Sequence, residues 1–258
     1  MAIPTALRFV EPQALAYRRT WRASVFSNFL NPVLYLLAMG AGLGTLVDES
    51  ADPSGMGISD LAWLGPGLLA AQAMQTGAGE SSFPIMAGFK WRKSYVAVMN
   101  TPLDATDIFI STYVWIVVRV FQVSAIYAAV LAAFGVTEPL GALLGTLTAT
   151  LTGAAFATPI MAFTSRLEDD TGLSHLFRFV VVPLFLFSGT FFPISQLPEL
   201  IRPIAYATPL WHGVVLSRAA ALGMEMTFPW WASVGFLLLW AAMGAVFALP
   251  QFRKRLVV

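Results

Sequence analysis

Few side chains in this sequence could carry out chemistry. Cysteine is absent, which removes thiolate metal sites and cysteine nucleophiles. The two histidines, His175 and His212, have no carboxylates at metal-ligand spacing beside them. A membrane serine protease would need Gly-x-Ser-Gly and a histidine on a neighbouring helix. Ser188-Gly189 is preceded instead by Leu186-Phe187, and His212 lies in a proline-broken stretch. The lysines Lys90, Lys93 and Lys254 sit outside any G-x-x-x-x-G-K-[ST] pattern, so no phosphate-cradling loop is formed. Arg119 is the exception. It lies inside a long apolar run, where a bare charge costs at least about 2.5 kcal/mol. Gln72 and Gln75 are candidate partners, whereas Glu80 reads as too near the end of its segment. Two roles stay open for Arg119: hydrogen bonding between helices, or facing a translocation path.

The elements that position these groups follow from composition. Of 258 residues, 57% are hydrophobic and 11% charged, and the mean hydropathy is +0.72. A soluble domain carries roughly 25% charged residues, so most of this surface is expected to meet lipid. A net charge of +1 argues against a nucleic-acid partner. Arg8, Glu11, Arg18, Arg19 and Arg22 interrupt the start of the chain, which is therefore read as lacking a cleavable leader. Crossing about 30 Å of hydrocarbon takes about 20 apolar residues. Six stretches qualify, at 24–47, 61–83, 105–134, 140–163, 177–192 and 228–249, the fifth being short before Pro193. The expectation is an all-α integral membrane protein of six transmembrane helices, one domain over 1–258.

Even-numbered spans place both termini on one side, and the basic residues choose it. Arg8, Arg18, Arg19, Arg22, Lys90, Arg92, Lys93, Arg166, Arg178, Arg253, Lys254 and Arg255 fall on one side. Only Arg202 and Arg218 fall on the other, so the first side is assigned to the cytoplasm and both termini with it. The acidic loop of Asp48, Glu49, Asp52 and Asp60 then lies outside, with its break at Asp52–Gly57.

Three segments outside the spans have their own patterns. Leu7, Val10, Ala14, Tyr17, Trp21 and Val25 recur at steps of three and four, and Arg8, Glu11, Arg18 and Arg22 fall off that face. Residues 1–23 thus read as an amphipathic helix on the cytoplasmic leaflet, or as a basic anchor that only fixes topology. Pro12 interrupts that helix or confines its start. In 84–95, continuing to Pro102, aromatic and basic residues mix. That composition suits the membrane interface, and it equally suits a helix whose aromatics plug into a partner. Residues 193–213 hold apolar runs between prolines too short to span, and read as a re-entrant hairpin entering from the outer face. Gly40, Gly42, Gly44, Gly141, Gly145 and Ala149 mark close helix contacts.

Phe187-Ser-Gly-Thr-Phe-Phe-Pro193, Leu197-Pro198, Thr208-Pro-Leu-Trp-His212 with Arg218, and Glu80–Trp91 together resemble a type-2 ABC exporter permease. The subgroup they are most like is the nodulation-type (NodJ-like) and daunorubicin-type drug permeases, and the likeness covers nearly the whole chain. It implies a half-transporter in a bacterial plasma membrane, pairing with a second permease, identical or homologous. Two copies of a cytoplasmic ATPase would supply hydrolysis, with ATP and Mg bound there and no cofactor in this chain. The coupling helix that docks on the ATPase would fall on 85–99, with Phe89, Lys90, Trp91, Arg92 and Tyr95 at the contact. Tyr17, Arg18, Trp21 and Arg22 would belong to the interface helix. Phe185, Phe187 and Phe191, with Arg119, would line the path; for the phenylalanines, packing or lipid contact is an equal reading. The substrate stays open among drug, lipo-oligosaccharide, lipid and polyketide. The alternatives are an ion-gradient-driven secondary transporter, which would usually show intramembrane carboxylates and repeated halves, and a non-transporting assembly factor.

Overall fold

The computed structural model describes residues 7–37, 60–199 and 202–256. Every regular element among them is helical: α1 (Val10–Tyr17), α2 (Trp21–Leu37), α3 (Asp60–Glu80), α4 (Phe83–Met86), α5 (Ser94–Val98), α6 (Ala105–Ala133), α7 (Pro139–Thr164), α8 (Thr171–Leu176), α9 (Val182–Phe187), α10 (Arg202–Tyr206), α11 (Pro209–Leu222) and α12 (Trp230–Leu256). A π-helical turn (Ala87–Trp91) links α4 towards α5, and another (Phe177–Val181) joins α8 to α9.

The starts of the long helices are written into the sequence. Asp104 accepts from the Asp107 backbone N–H at 2.8 Å, and Asp107 accepts in return from the Asp104 N–H, a capping box that opens α6. Proline supplies the first position of α7 (Pro139) and α11 (Pro209), where no backbone donor is needed. Helix α7 is the centre of the bundle and packs against α3, α6, α11 and α12. It approaches α3 closely enough that backbones touch. A Cβ on Gly153 would stand 2.5 Å from the Ala73 carbonyl, and one on Gly77 would collide with the Gly153 carbonyl. Gly141 abuts the α11 backbone and Ala149 is fully buried, as small residues at close contacts require; Gly40, Gly42 and Gly44 lie outside the described residues.

Among the described residues three helices are long and apolar enough to cross a membrane: α6, α7 and α12. They correspond to the expected spans 105–134, 140–163 and 228–249. Helix α2 is described to Leu37 and covers the larger part of the expected 24–47 span, whereas its last ten residues and the whole 52–57 break lie outside the described residues. The fifth segment runs Thr171–Phe187 rather than 177–192, because the chain turns at Ser188-Gly189. The sixth runs to Leu256 rather than 249. Large apolar side chains stand exposed on several helices, among them Phe29, Leu143, Leu147, Phe179, Leu239 and Phe247, a surface suited to lipid.

The N-terminal segment departs from one continuous helix over 1–23. Residues 1–6 lie outside the described set, and Arg18–Thr20 form a turn between α1 and α2. Pro12 sits in the first turn of α1, where its missing donor costs nothing. The face that packs inward carries Phe9 and Tyr17, whereas Leu7, Ala14 and Trp21 are exposed. In 193–213 the chain forms a short turn (Ile194–Gln196), α10 and then α11. The last continues to Leu222 and packs on α7 and α3.

Candidate functional site

The segment between α3 and α6 is bolted to the bundle by aromatic rings. Tyr95 lies against Gly88, where an added Cβ would stand 2.5 Å from its ring. Phe89 meets Tyr95 edge-on at 4.9 Å and Phe252 of α12 at 4.9 Å. Phe109 of α6 meets Phe252 at 5.5 Å, and Phe9 meets Tyr95 at 5.9 Å. The Arg255 guanidinium sits over the Phe89 ring at 4.6 Å. Burial pushes the Tyr95 phenol up to about 12, so it stays neutral.

Of the residues expected to face a partner, Phe89 and Tyr95 therefore turn inward. Lys90, Trp91 and Arg92 stand exposed, Trp91 at 53%. Aromatic residues in an interfacial segment look alike in sequence whether they anchor it or project from it. The π turn and the left-handed Lys93 (φ 52°) decide here, by reversing the chain so that Tyr95 folds back onto Gly88 and Phe89. Lys90 donates to the Glu168 carbonyl in the turn between α7 and α8, so that turn joins the same surface.

Above this segment Arg119 is fully engaged with its neighbours. Its Nε donates to Glu80 Oε1 at 3.0 Å, one η nitrogen to Gln122 Oε1 at 2.7 Å, and the other to Ser24 Oγ at 2.8 Å. The guanidinium lies over the Tyr17 ring at 4.0 Å, and Gln122 donates to the Tyr17 hydroxyl at 3.0 Å. The partner is thus Glu80, rather than Gln72 or Gln75. Helix α6 has 29 residues, about 43 Å, and so exceeds the hydrocarbon thickness of about 30 Å. Arg119 lies level with the end of α3, where a carboxylate can reach it. A cavity of about 440 Å³ opens beside this network, lined by Gln13, Tyr17, Glu80, Arg92, Trp115 and Arg119 among others. Of the other interface-helix candidates, Arg18, Trp21 and Arg22 are exposed, with Arg22 5.7 Å from the Trp21 ring.

The three phenylalanines proposed for the path separate. Phe185 and Phe191 pack edge-to-face at 5.0 Å, partly buried against the core. Phe187 is exposed and lines an apolar cavity of about 330 Å³ with Phe179, Pro183 and Ile204. Arg119 is not brought together with any of them. Ser188 Oγ lies 3.1 Å from Thr208 Oγ1, and His212 Nδ1 lies 3.0 Å from Ser233 Oγ, so serine and histidine have different partners.

Sequence reasoning placed Arg218 on the outer side and in the family motif, and gave it no role of its own. It donates to the carbonyls of Trp63 (3.1 Å), Gly189 (2.9 Å) and Thr190 (2.9 Å), and its guanidinium lies 3.7 Å from the Trp63 ring centre. It fastens the end of α9 and the start of α3 to α11. An apolar helix holding one buried arginine was the available signal.

The arrangement is a helical bundle with a short, anchored segment displayed at one end, and the family model for ABC-2 type transporters matches residues 9–222. The chain belongs to the ABC-2 type transporter family. It is similar to nodulation protein J of Rhizobium meliloti (strain 1021), at 26% identity over 94% of this chain and 90% of that protein. Nodulation protein J of Rhizobium leguminosarum bv. viciae is 29% identical over 82% of this chain and 80% of its own length. That of Bradyrhizobium diazoefficiens is 27% identical over 94% and 90%. The protein is accordingly a membrane permease subunit of an ABC-2 transporter, a family whose ATPase is typically carried on a separate subunit.

Proposed function

We propose that this ABC-2 permease is half of an ATP-driven exporter that moves an amphiphilic or hydrophobic substrate out across a bacterial plasma membrane. Six membrane crossings with both termini in the cytoplasm complete the reading, supported by the one-sided distribution of Lys and Arg. A second permease, the same chain or a homologue, closes the path between them. Two ATPase subunits dock below and supply ATP and Mg.

The observation that carries the reading is the segment from Phe83 to Val98. Phe89 and Tyr95 lock it to Phe9 and to Phe252 of α12, which in turn meets Phe109 of α6, while Lys90, Trp91 and Arg92 face outward. A displayed element with a rigid attachment can transmit a push from a partner, where a loose loop would absorb it. The permease supplies two conformations with different affinity for substrate, and the ATPase cycle shifts the population between them. The exposed apolar groove beside Phe187 suits the greasy part of a substrate.

Inverted vesicles containing the chain and its ATPase test this with a panel of fluorescent amphiphiles. Uptake should require ATP, survive ionophores that collapse ion gradients, and vanish when the ATPase is omitted. Uptake that persists without ATP and collapses with an ionophore would assign a gradient-driven transporter instead.

A further inference from the structure

We infer that the last turns of α12, through Arg253 and Lys254, form part of the docking surface for the ATPase, as a basic extension of the coupling segment that an acidic patch on that subunit would meet. The inference rests on the docking reading above and adds to it a second element from the far end of the chain.

Length supplies the first argument. Helix α12 has 27 residues, about 40 Å, which exceeds the hydrocarbon thickness by about 10 Å. Its exposed apolar side chains, Leu238, Leu239, Met243, Val246 and Phe247, begin after the exposed pair Trp230 and Trp231 and end before Pro250. The excess therefore falls at the C-terminal end, in the turns that carry Arg253, Lys254 and Arg255.

Packing supplies the second. Phe252 is fully buried and packs on both Phe89 and Tyr95, so this end of α12 and the coupling segment share one aromatic cluster. Arg255 donates to the Ser165 carbonyl at 3.0 Å and lies over Phe89, and is spent on holding the parts together. Arg253 reaches Thr106 Oγ1 at 3.0 Å, which fixes it beside the start of α6, yet its side chain remains exposed, as does Lys254. Lys90 and Arg92 of the coupling segment and Arg253 and Lys254 of α12 are exposed cations on elements joined through Phe89 and Phe252, although Glu168, Asp169 and Asp170 of the neighbouring turn are exposed as well. A partner docked on the coupling segment and reaching the end of α12 would meet Arg253 and Lys254, and complementary acidic groups on it would raise its rate of encounter.

The test uses the full chain in nanodiscs of zwitterionic lipid, so that attraction to anionic headgroups is absent. The ATPase that copurifies with the chain, identified by its phosphate-binding loop, is expressed alone, labelled and titrated. Arg253→Glu/Lys254→Glu should weaken its binding about tenfold, mainly through slower association, with a difference that shrinks as salt rises. Lys254→Glu alone, at an exposed position where folding is not at issue, should show a smaller loss of the same kind. Trp91→Ala should weaken binding independently. If Trp91→Ala weakens binding and the charge reversals do not, the α12 proposal is overturned and the coupling segment keeps its role. If neither has an effect, both are overturned. If the charge reversals matter only when anionic lipid is added, Arg253 and Lys254 serve the bilayer and the proposal fails.

Discussion

Arg119 shows what one buried charge requires. Its side chain is 9% exposed and that of Glu80 24%, so the pair is half-sheltered rather than sealed. Arg119→Ala should cost about 2 kcal/mol, less than the 3–5 kcal/mol of a fully buried pair, and should loosen the α1–α2 junction held by Tyr17 and Ser24. Arg119→Lys should recover little, since one ammonium cannot reach Glu80, Gln122 and Ser24 together. Thermal melting of the purified chain checks both, and full rescue by lysine would show that the fork geometry is immaterial. Tyr95 offers a second test. Its phenol ionises near 10.0 when unfolded and near 12 when folded, so stability is unaffected below 10 and falls as pH rises from 10 to 12. Tyr95→Phe should lack that fall, as read by hydrogen exchange over 87–98 below and above pH 10. The need for a partner to Arg119 was legible in the sequence. Its identity was not, because depth in a helix depends on how far neighbouring helices overlap, which spacing along one chain does not encode.

At the scale of elements, two junctions carry the architecture. The α3–α7 crossing depends on bare backbone at Gly77 and Gly153, so Gly153→Leu should prevent the native packing, whereas Gly79→Ala, with nothing within 4 Å, should be neutral or slightly stabilising. Expression and melting of the two variants distinguish a site-specific contact from a general intolerance to change. The aromatic junction makes the complementary prediction. Phe252→Ala should cost about 3–5 kcal/mol and raise hydrogen exchange throughout 87–98, because the cavity lies where α12 grips that segment. Periodicity revealed the long helices and their caps. It could not reveal that Phe89 faces Phe252, since those residues are distant in sequence and the π turn shifts the register between them. The inward face of α1 carries Phe9 and Tyr17 and not Leu7 and Trp21, because α1 packs on α6, where Tyr17 meets Trp115 and Arg119, while Phe9 meets Tyr95. Those partners are distant in sequence, so the periodicity of residues 7–25 could not choose the face.

For the whole molecule, low charge and long apolar runs were enough to place it in a membrane, and short motifs around Ser188, Thr208 and Glu80 were enough to suggest the family that the comparisons establish. The fifth segment ended early, at Phe187, because the turn at Ser188-Gly189 and the carbonyl clamp of Arg218 close it there. Under the proposed function such a permease is a mechanical link between an ATPase and a path through lipid, with the segment displaying Trp91 as its exposed end. The most direct measurement is the ATP hydrolysis rate of the partner subunit, alone and with this chain in liposomes, for the natural sequence and for Trp91→Ala. The natural chain should change the rate several-fold, and Trp91→Ala, folded to the same melting temperature, should return it to the value of the free subunit. A rate that is the same with and without the chain, or that Trp91→Ala leaves at the natural value, would contradict coupling through this segment.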